Sequence, residues 1–450
     1  MTSTASRVVI PVDGEHQEFS AILLRDLCQC SACIHHSTRQ KLYSTADIPR
    51  DIQAQTITPN QSMPGVCDIR WDRDVPGFGS QHTTSIDADM LRGIGRDGAT
   101  PGPFQSSLAP QTLWDAESSR NLPDFEYDAY MKDDATLYKA IVQLRTHGLV
   151  FLTDVSESEK AVSSIAERIG SVKSTFYGYT WDVRTVPSAI NAAYTSSDLG
   201  FHTDLLYFQN PAHVQLLHCM QSSSSGGASV FADALKCAID LYQADVDAFS
   251  VLATLPVNYH YKHPDSNLYS ATKPVFDTRP LRIGDVFYKS LPEFLEAWGR
   301  LRQGGTRPDL PSVDVVDCLE KINWGPPFLA PFSLHAESME QVRSFSSATT
   351  TPPRECLNRK VEDWHAAAAK FSAVLHREAN LHERLMKPGE CVLFDNTRVL
   401  HARKGFEAGD VGKARWLRGA YVDKEPYLSR YRVLRYRFEG KLETMRDRVK

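Results

Sequence analysis

The stretch GFHTDLLYF constrains this chain most, because it joins β-forming residues to two metal-binding side chains at alternate positions. Successive side chains of a β-strand point to opposite faces, so His202 and Asp204 are predicted to share one face. A distant histidine would complete a set of two histidines and one carboxylate. Such a set leaves coordination positions open and is typical of non-haem iron sites.

A late segment supplies the predicted third ligand. After the turn Pro388-Gly389, the sequence has a buried strand, Cys391–Phe394, and then His401. Two other His-x-acid pairs fit less well. His263-Pro-Asp265 has the composition of a turn, and His335-Ala-Glu337 has little strand context.

A second strand prediction concerns an arginine. Period-two alternation over Arg415–Val422 places Arg415, Leu417, Gly419 and Tyr421 on one face, with Arg418 on the other. A buried arginine needs a carboxylate partner, which its planar fork binds with two hydrogen bonds. A dicarboxylic co-substrate that chelates the metal at one end would supply that carboxylate at the other.

Three cysteines within six residues predict a second metal site. Cys28, Cys30 and Cys33 offer three soft thiolates, which suit a closed, tetrahedral and therefore structural zinc site. The residue types leave four candidates for the fourth ligand: His35, His36, Cys67 and His82. The remaining cysteines lie in apolar segments and are predicted to be core residues: Cys219, Cys237, Cys318, Cys356 and Cys391.

The order of segments predicts two domains. Residues 1–95, with short strands at Val8–Pro11 and Asp68–Trp71, form the small zinc-binding β domain, and 96–125 read as a Gly/Pro/Ser-rich linker. Residues 126–445 form the larger domain, with an insertion at about 277–311 that includes the helix-like LPEFLEAWGRLR.

The larger domain is predicted to be mainly β. Helices are expected at Leu137–His147 and Lys160–Ile169, before a strand-rich remainder. We expect an α+β protein whose catalytic domain is a double-stranded β-helix, or jelly roll, with flanking helices. Strands are predicted at Gly148–Thr153, Val214–His218, Ser229–Phe231, Asn258–Lys262, Cys391–Phe394 and Arg415–Val422.

Composition excludes several function classes. Fifty basic and 55 acidic side chains give a net charge of −5, which argues against a nucleic-acid-binding surface. No apolar stretch approaches 18 residues, and the N-terminus has no apolar signal region, so we expect a cytoplasmic protein that does not span a membrane. The sequence has no Gly-x-Ser-x-Gly motif, which argues against a serine hydrolase. A non-catalytic zinc-containing binding protein is the alternative from a different class.

Seven motifs carry a family resemblance. FYGYTW, AAYT, FHTD, VQLLHC, LFDN, LHAR and RGAY occur in the order seen in the gamma-butyrobetaine and trimethyllysine dioxygenases, and the likeness extends to CQCSAC. These are Fe(II)/2-oxoglutarate oxygenases of the taurine-dioxygenase superfamily. The resemblance implies that His202, Asp204 and His401 bind iron, and that Arg415 and Ser229 bind 2-oxoglutarate.

The resemblance also implies a reaction. The chain would use O2 and 2-oxoglutarate to hydroxylate an aliphatic C–H bond of a small betaine, converting gamma-butyrobetaine to carnitine, with ascorbate as a stimulant. It implies a homodimer by analogy alone. The resemblance also selects His82 as the fourth zinc ligand. Tyr207-Phe208-Gln209 is closer to the trimethyllysine sibling, so trimethyllysine, another amino acid or a specialised metabolite stays an alternative substrate.

The same likeness suggests how a substrate would be held. A trimethylammonium group donates no hydrogen bond and is recognised by aromatic faces. Four residues match the aromatic cage and one matches a contact to the substrate carboxylate: Tyr177, Trp181, Tyr194 and Tyr421, then Asn191. Tyr177 and Trp181 are four residues apart, which also fits the core face of a helix.

Overall fold

A computed structural model describes most of the chain. The described residues are 6–12, 14–87, 91, 108–184, 192–223, 225–283, 286–288, 290–291, 293–295, 297, 318–332, 353–406 and 415–440. The chain divides into two compact units. One contains residues 1–108 and 441–450, and the other contains Ala109–Gly440. Part of the predicted linker, from Ala109 on, therefore belongs to the second unit, where Trp114 is buried.

The first unit is built from β-strands around a small core. Its elements are β1 (Arg7–Val12), β2 (Glu15–Ser20), α1 (Ala21–Asp26), β3 (Ala54–Pro59), β4 (Val66–Trp71) and β5 (Thr83–Asp87). β1 pairs with β2, and β3, β4 and β5 form an antiparallel sheet. Val8, Ile10 and Val12 alternate inward from β1, as their period-two spacing requires.

Two facing sheets dominate the second unit. The strands are β6 (Phe125–Glu126), β7 (Leu149–Thr153), β8 (Trp181–Arg184), β9 (Leu199–His202), β10 (Val214–Gln221), β11 (Ser229–Asp233), β18 (His382–Arg384), β19 (Cys391–Asp395), β20 (Val399–Arg403) and β21 (Trp416–Val422). The larger sheet has the order β6-β7-β19-β10-β21-β8, and the smaller has the order β18-β11-β20-β9. The chain passes from one sheet to the other between β10 and β11, and again between β19 and β20.

Aromatic and aliphatic residues fill the space between these sheets. Phe231 of the smaller sheet packs edge-on against Phe151 and Phe394 of the larger one, with ring centroids 5.9 and 5.6 Å apart. Antiparallel strands that alternate between two sheets around one core are the architecture of a jelly roll. The predicted jelly-roll domain is therefore confirmed.

The helices flank this core. They are α2 (Ala116–Ser119), α3 (Tyr127–Lys132), α4 (Asp134–His147), α5 (Ala161–Ile169), α6 (Ala234–Ala244), α7 (Val246–Thr254), α8 (Pro353–Leu375) and α9 (Lys424–Glu439). α4 and α5 were predicted, and α4 is followed by the capping residue Gly148, whose φ of +73° suits a residue without a Cβ. The helices from α6 onward were not predicted, because their sequences were read as part of a strand-rich remainder.

Between α7 and α8 the chain forms short hairpins. The strands are β12 (Val257–His263), β13 (Asn267–Lys273), β14 (Phe276–Thr278), β15 (Leu281–Ile283), β16 (Val286–Tyr288) and β17 (Leu319–Ile322). β12 pairs with β13, β14 with β17, and β15 with β16. The turn predicted at His263-Pro-Asp265 joins β12 to β13. Most of the predicted helix at 291–302, like His335–Glu337, lies outside the described residues.

Across the part of the chain that the structure describes, no helix is both long enough and apolar enough to span a bilayer.

His218 of β10 gives the stability of this fold a pH dependence. Its side chain is fully buried, and among the described residues neither ring nitrogen has a hydrogen-bond partner. Burial lowers the pKa of His218 to about 4, below the value of about 6.5 in an unfolded chain. As the pH falls from 6.5 towards 4, the unfolded state therefore binds a proton that the folded state excludes.

We predict that His218→Leu reduces the loss of unfolding free energy that occurs as the pH falls. Between pH 7.5 and 5 the parent should lose about 2 kcal/mol of unfolding free energy that the variant keeps. Urea unfolding at both pH values measures this difference, with His365→Leu, at an exposed histidine, as the control. Equal pH dependence in parent and His218→Leu would contradict the prediction.

Candidate active site and metal cluster

The two predicted histidine ligands meet across a strand pair. His202 ends β9 and His401 lies in β20, and the two residues are direct partners in the antiparallel register. Their ring centroids are 4.1 Å apart. The ligand atoms of His202, Asp204 and His401 all lie within 4.8 Å of one another, a cluster that could hold one metal ion.

Asp204 reaches this cluster by a route that strand alternation did not predict. β9 ends at His202, and Asp204 begins a turn in which Leu205 has a φ of +61°. The shared strand face is therefore wrong as the reason for their proximity. The turn nevertheless brings Asp204 Oδ1 to 3.3 Å from His202 Nε2.

The protonation states of this cluster suit a cation. Burial, together with His202, lowers the pKa of His401 to about 3, so its imidazole stays neutral. Burial would raise the pKa of Asp204, but contacts with His202, His401 and Tyr421 outweigh it and lower the pKa. His202 Nδ1 lies 2.8 Å from the Gly200 carbonyl oxygen, which leaves Nε2 as the ligand atom.

Arg415 lies beside the same cavity. It directly precedes β21, and Leu417 and Tyr421 line the cavity with it, as alternation predicted. Arg418 points away from the cavity and binds Asp182 and Glu159 instead. Burial and the nearby Arg403 lower the pKa of Arg415 to about 10. Within the described residues no carboxylate pairs with Arg415, so among those residues this buried cation has no anionic partner at the cavity.

Aromatic residues form another wall of the cavity. Tyr177, Trp181, Tyr194 and Tyr421 all line it, together with Ser229 and the cluster of His202, Asp204 and His401. Trp181 lies on β8 and Tyr177 lies in the turn between Thr175 and Gly178, so the helix-core interpretation of this pair is wrong. Asn191 lies outside the described residues.

Sequence reasoning missed Arg403, which also lines the cavity. Its guanidinium donates to three main-chain carbonyls, those of Ala193 (2.8 Å), Thr195 (2.7 Å) and Ser197 (2.7 Å). The loop it holds carries Tyr194. Arg403 follows His401 by two positions on one strand, so period-two alternation was the signal that could have found it.

The N-terminal cysteines converge with a histidine. His82 Nε2 lies 3.6, 3.4 and 3.3 Å from the sulfur atoms of Cys28, Cys30 and Cys33. Tetrahedral zinc, with Zn–S of about 2.3 Å and Zn–N of about 2.0 Å, requires a sulfur–nitrogen distance of about 3.5 Å. Three cysteines and one histidine at these distances fit a closed zinc site.

Buried charges surround this cluster. His82 Nδ1 lies 2.6 Å from Asp74 Oδ2, and Asp74 also pairs with the fully buried Arg25. A carboxylate on the far nitrogen orients a metal-binding imidazole. The other candidate ligands are elsewhere. His35 and His36 stack on each other, and Cys67 lies on β4 outside the cluster.

The other cysteines behave as predicted where the structure describes them. Four are free and buried: Cys219, Cys237, Cys318 and Cys391. The side chain of Cys356 lies outside the described residues.

Comparison with protein families decides the identity of the larger unit. Residues 106–421 match the model described as "Taurine catabolism dioxygenase TauD, TfdA family". The chain belongs to the TauD/TfdA family. Residues 3–74 match a second model, "Gamma-butyrobetaine hydroxylase-like, N-terminal".

Curated relatives of this TauD/TfdA protein cover nearly all of the chain. "Dioxygenase str8" of Strobilurus tenacellus is 33% identical over 95% of this chain and 87% of its own length. A gamma-butyrobetaine dioxygenase of Pseudomonas is 27% identical, with 94% and 92% covered. The mitochondrial trimethyllysine dioxygenase of Bos taurus is 24% identical, with 92% and 82% covered.

These findings confirm the predicted enzyme class. The protein is an Fe(II)/2-oxoglutarate-dependent dioxygenase, related to the gamma-butyrobetaine and trimethyllysine dioxygenases. The non-catalytic alternative is therefore rejected.

Proposed function

We propose that this dioxygenase hydroxylates an aliphatic C–H bond of a small betaine, with gamma-butyrobetaine, which gives carnitine, as the first candidate substrate. The observation that carries the proposal is an aromatic wall in the same cavity as the cluster of His202, Asp204 and His401. Of the described residues that line this cavity, Asp204 is the only acid. A head group that needs no hydrogen-bond acceptor, such as trimethylammonium, fits that lining.

The roles of the polar residues follow from their positions. His202, Asp204 and His401 would hold iron, which with 2-oxoglutarate and O2 supplies the oxidising chemistry. Arg415 would bind the far carboxylate of 2-oxoglutarate, because it is a buried cation that faces the cavity without a described anion. Ser229, buried in β11 and also in the cavity lining, would assist Arg415.

The aromatic residues would surround the cationic head. Burial raises the pKa of Tyr194 to about 12, so its ring remains a neutral phenol at physiological pH. The hydroxyl of Tyr177 lies 2.9 Å from that of Tyr207, which restrains the Tyr177 ring. Trp181 and Tyr421 complete the proposed cage, and Asn191 is proposed to bind the substrate carboxylate.

A sibling activity is the second candidate. The Strobilurus dioxygenase shares more identity with the chain than the gamma-butyrobetaine dioxygenases do, 33% against 26–27%. Aromatic rings also continue beyond the proposed cage, where Tyr207 contacts Phe208, Tyr261 and Tyr269. These observations favour trimethyllysine, another amino acid or a specialised metabolite as the alternative substrate.

We further propose that Cys28, Cys30, Cys33 and His82 bind one structural zinc ion. Their distances and the support of His82 by Asp74 favour this metal. A cytoplasmic location and a homodimer stay predictions, as does the division into a zinc-binding domain, a linker and a catalytic domain.

The experiment that tests the proposed reaction is a substrate screen. Succinate release is measured with iron and 2-oxoglutarate in the presence of gamma-butyrobetaine, trimethyllysine or free amino acids. We expect gamma-butyrobetaine to stimulate succinate release and to yield carnitine. Stimulation by trimethyllysine or by a free amino acid, without stimulation by gamma-butyrobetaine, would establish the sibling activity instead.

Tyr194→Leu tests the cage. The change keeps bulk but removes an aromatic face worth about 0.5–2 kcal/mol to a cation, so the KM for gamma-butyrobetaine should rise about 2- to 30-fold. The matched control is 5,5-dimethylhexanoate, in which carbon replaces the charged nitrogen, and its binding should hardly change. An equal loss for both compounds would show that Tyr194 contributes only shape.

Arg415→Lys tests the co-substrate site. Lysine keeps the charge but loses the planar fork, so the apparent KM for 2-oxoglutarate should rise at least about tenfold, more than the KM for the prime substrate. Arg418→Lys, on the opposite face of β21, should leave both KM values unchanged. Unchanged 2-oxoglutarate kinetics in Arg415→Lys would refute the assignment.

Cys30→Ser tests the zinc site. The variant should bind about one zinc ion fewer per chain and melt at a lower temperature, because structural zinc binding is coupled to folding. Cys67→Ser, in the same unit but outside the cluster, should keep its zinc. Elemental analysis and thermal unfolding measure both effects, and a parent protein purified without zinc from metal-replete medium would count against the site.

A further inference from the structure

The two oxygen atoms of the Asp204 carboxylate have different surroundings. Oδ1 faces the histidines and lies 3.3 Å from His202 Nε2. Oδ2 accepts two hydrogen bonds, one from Gln215 Nε2 and one from the Tyr421 hydroxyl, each 2.7 Å long. One oxygen therefore points into the proposed iron site, while protein donors occupy the other.

Both donors come from the larger sheet. Gln215 of β10 and Tyr421 of β21 are direct partners in the antiparallel register, and both side chains are almost fully buried. The histidine ligands His202 and His401 are direct partners in the smaller sheet. The Asp204 carboxylate thus lies between a pair of ligands on one sheet and a pair of donors on the other.

Ring packing restrains the Tyr421 side chain and therefore the position of its hydroxyl. Trp181 stacks on the Tyr421 ring with centroids 3.9 Å apart and an interplanar angle of 22°. Gly419 makes this approach possible, since a Cβ there would lie 2.5 Å from the Trp181 ring. A change in χ1 that moved the Tyr421 hydroxyl away from Asp204 would also carry the ring out of this stack, so the packing keeps the hydroxyl directed at Asp204.

The main chain of Asp204 is held separately. Its N–H donates to Asn396 Oδ1 at 2.9 Å, and Asn396 Nδ2 donates to the carbonyl oxygens of Asp204 (3.2 Å) and Ala212 (3.0 Å). Asn396 is fully buried in the turn between β19 and β20. The carboxylate is therefore fixed at both its backbone and its outer oxygen.

We infer that Gln215 and Tyr421 are positioning residues that hold Asp204 as a metal ligand through Oδ1 alone. The inference rests on the proposed iron-binding role of Asp204. A carboxylate that bound through both oxygens would take one of the three coordination positions that two histidines and one carboxylate leave open. Those positions are needed for 2-oxoglutarate and O2, so two hydrogen bonds to Oδ2 would keep them available.

The test measures metal binding rather than turnover. Mn(II), which does not oxidise under assay conditions, is titrated without 2-oxoglutarate into full-length protein that lacks iron but keeps the proposed structural zinc, and water proton relaxation counts the waters on the bound ion. Tyr421→Phe keeps the ring stack and removes the hydroxyl, and Gln215→Met keeps the length and removes the donor. Each should weaken Mn(II) binding at least about tenfold, a usual cost of losing a group that supports a ligand.

The double variant Tyr421→Phe/Gln215→Met distinguishes a positioning role from a structural role by the number of waters on bound Mn(II). With Oδ2 released to the metal, bound Mn(II) should lose one of about three waters. A purely structural role would lower the melting temperature without changing the number of waters. Tyr130→Phe is the matched control, because it removes another buried hydroxyl, one that bonds to the Ile165 carbonyl away from the site, and it should bind Mn(II) as the parent does.

Asp204→Ala separates the two possible failures. If Asp204→Ala binds Mn(II) as tightly as the parent, the proposed iron site itself is wrong. If Asp204→Ala loses Mn(II) while Tyr421→Phe and Gln215→Met keep the parental affinity and water number, the positioning role is overturned and the iron site stands. If Tyr421→Phe fails to fold, Gln215→Met decides the question alone.

Discussion

The pairing of β9 with β20 is the constraint on which the catalytic unit depends. It joins residues about 200 positions apart in the chain and makes His202 and His401 direct neighbours. No local interaction could bring these imidazoles together, and neither could bind a metal strongly alone. The jelly roll supplies the pairing, because a chain that passes repeatedly between two sheets returns distant strands to the same edge.

Burial then gives these residues their chemistry. A low-dielectric interior favours neutral imidazoles and makes an unpaired cation costly. His401 and Arg415 are both buried in the same cavity, the first as an uncharged donor and the second as a charge without a described anion. A metal ion bound by His401 and a dicarboxylate paired with Arg415 would together suit both residues, and this complementarity connects the fold to the co-substrate of the family.

Local patterns predicted the parts of the structure that depend on local forces. Alternation placed Arg415 and Leu417 on one face, and the cysteine spacing predicted a metal site. Asp204 lies near His202 as predicted, but strand alternation is not the cause. Its position depends on a turn that Asn396 stabilises from almost two hundred residues away. Asp74, which supports His82, gave no signal either, since an aspartate in a surface-like sequence is ordinarily solvated. Contacts between distant segments produce no periodic pattern in the sequence, so the sequence does not predict them.

Arg403 has a consequence for how this enzyme can diversify. It holds the loop that carries Tyr194 by donating hydrogen bonds to the main-chain carbonyls of Ala193, Thr195 and Ser197. A main-chain carbonyl accepts the same hydrogen bond whatever side chain its residue carries. Mutations in this loop can therefore change what the cavity accepts without loosening the loop's attachment to the strand of His401. The surface proposed to face the substrate can therefore vary in sequence while the proposed iron ligands keep their positions.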